Sequence, residues 1–276
     1  MIFVKDVITA RKNPTVMRAH ALLDKKGREE QSLFLAEGVK LFCEAVNSSL
    51  PIECVFVRED KVSEFFPLIE RTMADEKYDN AKIYTLSSGC FEKISTEKSP
   101  QGIIVIIKYL DFFKSCNKII EETFSADDGK SSIILSSMRD PGNVGAVVRS
   151  ALAFGAQRII MSSDCADIYN PKTIRASMGC IFKLEILISD DLCRTVRALR
   201  NAGRRVFAAE LRQNAISLDD SDIRKSDVVI IGNEGHGLDE SLSSECDGSI
   251  FIPISSGAES LNAAVAAAIF MREQNK

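Results

Sequence analysis

Short apolar runs alternate with amphipathic stretches along most of the chain. In the first hundred residues Leu33-Phe34-Leu35, Cys54 to Val57, Ile83 to Leu86 and Gly102 to Ile107 read as strands. Helical spacing over Val39 to Val46 and Phe65 to Met73 separates them, and Pro51, Ser87-Ser88-Gly89 and Ser99-Pro100 punctuate the pattern. Residues 1–32 read as a largely helical lead-in, started by Asn13-Pro14 and ended near Gly27. Strands alternating with helices predict a small α/β domain over residues 1–107. The alternation then stops. Tyr109, Phe112, Phe113 and Ile119-Ile120 fit one side of a linker helix within 108–130, and the polar run Ser125 to Ser132 reads as a hinge before a second domain, 131–276.

The second half opens with a strand, a turn, a helix and a strand. Ile133 to Leu135 is apolar, Asp140-Pro141-Gly142 breaks it, and Val144, Val147, Val148, Ala151 and Leu152 recur at helical spacing until Gly155. Asn143 falls where an N-cap is expected, and Arg149 lies on the face opposite the valines. Helical side chains lean toward the N-terminus, so the Arg149 guanidinium is expected to run over Gly145 to an end whose free N–H groups suit a phosphate. Further on, Asn170-Pro171-Lys172 starts a short helix, Leu184 to Ile188 is a strand, and Asp190 is expected to cap a helix to Asn201 that Gly203 ends. Arg205 to Ala209, Asp227 to Gly232 and Ser249 to Pro253 are further strands, the last two without polar alternation, as expected for burial on both faces. Each of those two runs into a loop of small and polar residues, 232–237 and 255–259. Ligands of open α/β sheets bind at the carboxyl ends of strands, so both loops and Arg149 are expected to share one crevice. A last helix, Leu261 to about Glu273, is expected to turn Leu261, Ala264, Val265, Ala268 and Ile269 to one face.

Composition narrows the class. At 276 residues and 45% hydrophobic content, two halves can each bury a core. The longest apolar run, Ala263 to Met271, is too short to span a membrane, and the N-terminus has no signal-peptide core, so a soluble cytoplasmic protein is expected. The eight cysteines form no CxxC pair, which predicts buried reduced thiols and no metal site. A net charge of −4 disfavours a protein that coats nucleic acid, yet residues 1–28 hold seven Lys and Arg against two Asp, leaving room for a local basic patch.

Three ordered motifs carry a resemblance. Asn143-x-Gly145-x3-Arg149, then Gly232-Asn233-Glu234-Gly235-x-Gly237-Leu238, then Ile252-Pro253 with Ser260-Leu261-Asn262 resemble the motifs of the SpoU/TrmH branch of the SPOUT RNA ribose 2′-O-methyltransferases. Tyr169 to Lys172 and Arg175 to Gly179 match the family's connection between the first two. Phe34 to Gly38 and Ser99 to Gly102 resemble landmarks of the ribosomal-protein-like α/β substrate-binding domain often fused in front. The resemblance implies an α/β fold with a C-terminal trefoil-knotted SPOUT domain, S-adenosylmethionine as cofactor, RNA as partner with ribosomal RNA preferred to transfer RNA, and a homodimer through the C-terminal domain. It implies that Gly232, Ile252 and Leu261 hold the cofactor through backbone groups, and that Asn143, Arg149, Glu234, Ser260 and Asn262 are the catalytic set. Two positions depart from the family: Ser256 stands where Gly is usual, and Ala264 where Ser is frequent.

The chemistry sets its own limits. Methyl transfer needs the acceptor oxygen aligned behind the departing sulfur, and positioning alone lowers such barriers by roughly 7 to 11 kcal/mol. A guanidinium is a poor base, because it does not normally become neutral in proteins. Arg149 is therefore expected first to bind the target phosphate and to stabilise the forming oxyanion. Bland roles remain for others: Glu234 as a loop cap, His236 as a loop residue. A Rossmann dehydrogenase is disfavoured because Gly142-x-x-Gly145 is not GxGxxG. A non-catalytic RNA-binding module of the same fold remains the alternative, against which the intact polar set stands.

Overall fold

The computed structural model describes residues 1–110, 113–115, 130–233 and 235–276. They form two units: Met1–Leu110 with Asp167–Phe182, and Asp111–Ala166 with Lys183–Lys276.

The first unit runs β1 (Ile2–Phe3), α1 (Pro14–Ala21), α2 (Lys25–Gln31), β2 (Leu33–Glu37), α3 (Val39–Asn47), β3 (Ile52–Arg58), α4 (Val62–Thr72), β4 (Lys82–Leu86), α5 (Ser88–Ile94) and β5 (Ile103–Lys108). Its sheet has the order β1-β4-β3-β5-β2. β4 pairs parallel with β1 and β3, while β5 is antiparallel to β3 and β2. The unbroken apolar run Ile103 to Ile107 is fully used, since all five residues are buried between layers.

The lead-in departs from expectation in one respect: it is two helices, not one. Asn13 accepts the Thr15 N–H at 2.9 Å and Pro14 occupies the first turn, as its fixed φ favours. Gly27, however, sits inside α2, where an added Cβ would lie 2.0 Å from the Ala21 carbonyl oxygen. It is a close-approach glycine that lets α2 fold back on α1, and Ser32, at φ 52°, ends α2. α5 was masked in the sequence by Ser87-Ser88-Gly89. Its signal is the apolar set Cys90, Phe91 and Ile94, one turn of spacing and all buried.

The second unit contains β6 (Phe113–Ser115), β7 (Ser132–Leu135), α6 (Pro141–Ala153) and β8 (Arg158–Ser162). The linker helix expected over 108–130 falls largely outside the described residues, but 113–115 form a strand paired parallel with a later one, which rules out a helix there. After Ala166 the chain contributes Asp167–Phe182 to the first unit, including α7 (Pro171–Ala176). Within that unit Arg28, only 2% exposed, donates to the Asp167 carboxylate at 2.6 and 3.1 Å and to the Leu22 and Leu23 carbonyls at 2.8 and 2.9 Å. Tyr109 stacks on Tyr169 with centroids 3.9 Å apart. Arg28 is thus spent on structure and leaves the supposed basic patch. Arg18 pairs with Glu53, and Lys25 and Lys26 pair with Glu29 and Glu30 one turn on.

The chain then completes the second unit with β9 (Glu185–Ser189), α8 (Leu192–Asn201), β10 (Val206–Ala209), β11 (Ile216–Ser217), β12 (Val228–Ile231), α9 (Glu240–Ser244), β13 (Gly248–Phe251) and α10 (Ala263–Gln274). The N-cap of α8 is Asp191, one residue later than expected, because its carboxylate reaches the Arg194 N–H at 2.9 Å. The sheet order is β11-β13-β10-β12-β7-β8-β9-β6, and every pairing is parallel. A wholly parallel sheet places the carboxyl ends of β7, β12 and β13 on one edge. α10 packs against α6 and β12. The face named from the sequence is only partly the buried one: Ala264 is buried with Ala263, Ala267, Phe270, Met271 and Gln274, whereas Val265 is 48% exposed. Alanine on nearly every side gave the sequence pattern little power to choose a face.

Among the described residues no helix is long and apolar enough to cross a membrane, and no cluster of potential metal ligands occurs. Among the described residues seven cysteines occur and none forms a disulfide, Cys54 and Cys90 being buried and five half-buried; Cys116 lies outside the described residues.

Candidate active site

Asp140, not Asn143, caps α6. Its carboxylate accepts the Asn143 N–H at 2.9 Å, with Pro141 in the first turn. Asn143 therefore stands one turn inside, and its side chain is available for longer-range work. It accepts a hydrogen bond from the Asn262 Nδ2 at 3.1 Å, across 119 residues of sequence. Asn262 is itself the N-cap of α10, its Oδ1 accepting the Ala264 and Val265 N–H groups at 2.9 and 3.2 Å. The first turns of α6 and α10 are joined in this way.

The loop after β12 is tied to the same edge. Asn233 donates from Nδ2 to the Ser137 carbonyl at 2.8 Å, accepts the Gly235 and His236 N–H groups at 2.8 and 3.3 Å, and exchanges two backbone bonds of 3.0 Å with Gly237. A Cβ on Gly232 would lie 2.6 Å from the Gly237 backbone, so only glycine permits this closure. Glu234 lies outside the described residues. His236 is exposed and takes part only through its backbone.

Arg149 is exposed on α6, while Val144, Gly145, Val147 and Val148 are buried. No hydrogen bond or ion pair joins it to another described residue. Ser260 is exposed, and Ile252 and Leu261 are half-buried. From Pro253 to Leu261, among the described residues, one backbone bond closes the loop, Ala258 N–H to the Ser255 carbonyl at 3.1 Å. Residues 253–260 are exposed throughout, between the half-buried apolar Ile252 and Leu261. Such a lining fits a flat heteroaromatic ligand with a polar tail held through main-chain groups. Residues the sequence reading passed over also belong to this edge: Ser137, Ser162 and Asp164 support the loop after β12. Ser137 is at φ 54°, a conformation that composition does not reveal.

Residues 130–272 match the family model described as the SpoU rRNA Methylase family, and residues 13–105 match the MRM3-like substrate binding domain. The chain belongs to the SpoU rRNA methylase family. It is similar along its length to RlmP of Bacillus subtilis, a 23S rRNA (guanosine(2553)-2′-O)-methyltransferase, at 28% identity covering 96% of this chain and 97% of the relative. A 23S rRNA (uridine(2479)-2′-O)-methyltransferase of Streptomyces viridochromogenes is also 28% identical, covering 96% and 90%. The AdoMet-bound rRNA methyltransferase from Sinorhizobium meliloti superposes with a TM-score of 0.82 at 28% identity, over 98% of this chain and 97% of that one. The fold is accordingly that of SpoU-type SPOUT methyltransferases carrying an N-terminal domain.

Proposed function

We propose that this SpoU-family enzyme transfers the methyl group of S-adenosylmethionine to a ribose 2′-hydroxyl of ribosomal RNA. The observation that carries the reading is the Asn262 to Asn143 hydrogen bond of 3.1 Å, which unites the first and third motifs at the carboxyl edge of one parallel sheet. The Bacillus subtilis and Streptomyces viridochromogenes relatives are both named as 23S rRNA methyltransferases, which supports ribosomal over transfer RNA.

The bound cofactor supplies an electrophilic methyl group on a cationic sulfur. Gly232, Ile252 and Leu261 hold it through main-chain groups; the half-buried Ile252 and Leu261 at either end of the exposed loop 253–260 support this role. Arg149, exposed and without a described partner, clamps the phosphate next to the target ribose and favours the developing alkoxide. Asn143 and Asn262 fix the relative placement of α6 and α10, and Ser260 and Glu234 complete the polar set. Residues 1–107 recognise RNA, 108–130 connect, and 131–276 perform the transfer in the cytoplasm.

The enzyme acts as a homodimer through the second unit. The support is an open groove between α6 and α10, lined by Ala146, Phe154, Val265, Ala268 and Ile269, an apolar surface that a second copy would cover. Sedimentation should give twice the mass of one chain, and a monomer at micromolar concentration would oppose it.

Mapping 2′-O-methylation in RNA from cells with and without the protein tests the substrate. Loss of methylation at a ribosomal ribose is expected; loss confined to transfer RNA, or no loss, would contradict the proposal.

A further inference from the structure

We propose that Ser137 and Asp164 form a brace that positions the loop after β12 for methyl transfer. This rests on the methyltransferase reading above and adds two positioning residues to it. Ser137 follows β7 and adopts φ 54°, a left-handed conformation that a serine enters only at a cost. Four hydrogen bonds make and hold that conformation. Its N–H donates to Ser162 Oγ at 2.8 Å, its Oγ donates to Asp164 Oδ2 at 2.7 Å, and Ser162 Oγ donates to Asp164 Oδ1 at 2.6 Å. The fourth bond is the output: the Ser137 carbonyl, turned outward by this backbone, accepts Asn233 Nδ2 at 2.8 Å.

Asn233 spends its other side-chain atom on the Gly235 and His236 N–H groups and its backbone on Gly237. The positions of Asn233, Gly235, His236 and Gly237, and of Gly232 packed against Gly237, depend on where the Ser137 carbonyl sits. Both oxygens of Asp164 are engaged inward although the side chain is 46% exposed, and Arg139 lies 3.7 Å from it on the solvent side. Burial would push the Asp164 carboxyl up, but the hydroxyls of Ser162 and Ser137, its own backbone and the Arg139 charge hold it below the ordinary range. The carboxylate is thus the form that accepts both hydroxyls. None of these groups need touch the RNA or the cofactor. They act through Asn233, and displacement of about 1 Å in reacting groups is enough to lower rates up to about a hundredfold.

The test uses the full-length enzyme with S-adenosylmethionine and its methylatable ribosomal RNA, comparing Ser137→Ala, Asp164→Ala, the double variant and Asp164→Asn. Ser137→Ala and Asp164→Ala should each lower kcat about tenfold, with KM for RNA and the thermal midpoint close to wild type. The double variant should fall no further than either single one, because a brace broken once is already broken. Asp164→Asn, which keeps one acceptor oxygen, should recover most of the loss. A kcat within twofold of wild type in Ser137→Ala, additive losses in the double variant, or no recovery in Asp164→Asn would overturn the brace. Should Asp164→Ala fail to fold, Ser137→Ala, which removes a single hydroxyl, decides alone. Failure of the wild type to transfer methyl groups would refute the methyltransferase reading instead.

Discussion

The two edges of the second sheet use polar residues in opposite ways. At the amino ends of the strands, charges are paired, with Arg158, Arg204 and Asp227 buried. Arg158, 2% exposed, and Lys130 converge on Glu185 at 2.9 and 2.8 Å. Arg204, 3% exposed, reaches the Ser226 and Lys130 carbonyls at 2.7 and 2.9 Å, and Arg205 grips the buried Asp227 at 2.6 and 3.0 Å. At the carboxyl ends, Ser260 and Asn262 are exposed, and residues 253–260 are exposed throughout. Saturated polar groups hold a fold; polar groups brought together and left open are there for something else.

The contrast breaks most severely at Asp227. Arg205→Ala leaves that carboxylate, 2% exposed, without its cation; because Arg205 is itself 35% exposed and the Arg224 N–H at 2.7 Å remains, the expected cost is about 1 to 3 kcal/mol. Denaturant titration should show that loss, while kcat measured on the folded fraction stays near wild type. Arg149→Ala should do the reverse: about a hundredfold lower kcat at saturating RNA, with an unchanged denaturation midpoint. Arg149→Lys should keep measurable activity if phosphate binding is the main role; equal loss in both at saturating RNA would oppose it.

A smaller effect distinguishes the edges by pH. Burial alone would raise the Glu185 carboxyl, but the hydrogen bond from Lys130 and the charge and hydrogen bond of Arg158 hold it below its ordinary value. A carboxyl lowered in the folded state contributes stability that is present above its unfolded pKa, about 4.3, and is lost as pH falls through the folded value. Wild-type stability should therefore drop on acidification below about pH 4.3, and Glu185→Gln should flatten that part of the curve.

Much of the plan was legible in residue order because local signals agreed with the fold. β7, α6 and β8 follow from an apolar run, Asp-Pro-Gly and valines at helical spacing, and β12 and β13 from short apolar runs that open into loops. One role went to a different residue: Asn143 stood where a cap was expected, but the Pro141 constraint and the observed bond select Asp140. α10 hid its inward face among alanines, and Gly27 looked like a stop while serving a close approach. The brace of Ser137 and Asp164 was invisible, since nothing in serine or aspartate composition reports a left-handed backbone. The site residues were nominated by motif, and the sequence held no sign of the Asn143–Asn262 bond that joins two of them.

The most direct measurement is transfer of labelled methyl from S-adenosylmethionine to RNA by Asn143→Ala, Asn262→Ala and the double variant, each folded. Segments that work as one site predict losses of about tenfold or more in each single variant and no greater loss in the double. Wild-type rates in either single variant, or losses that multiply, would show that the two helix starts do not act together.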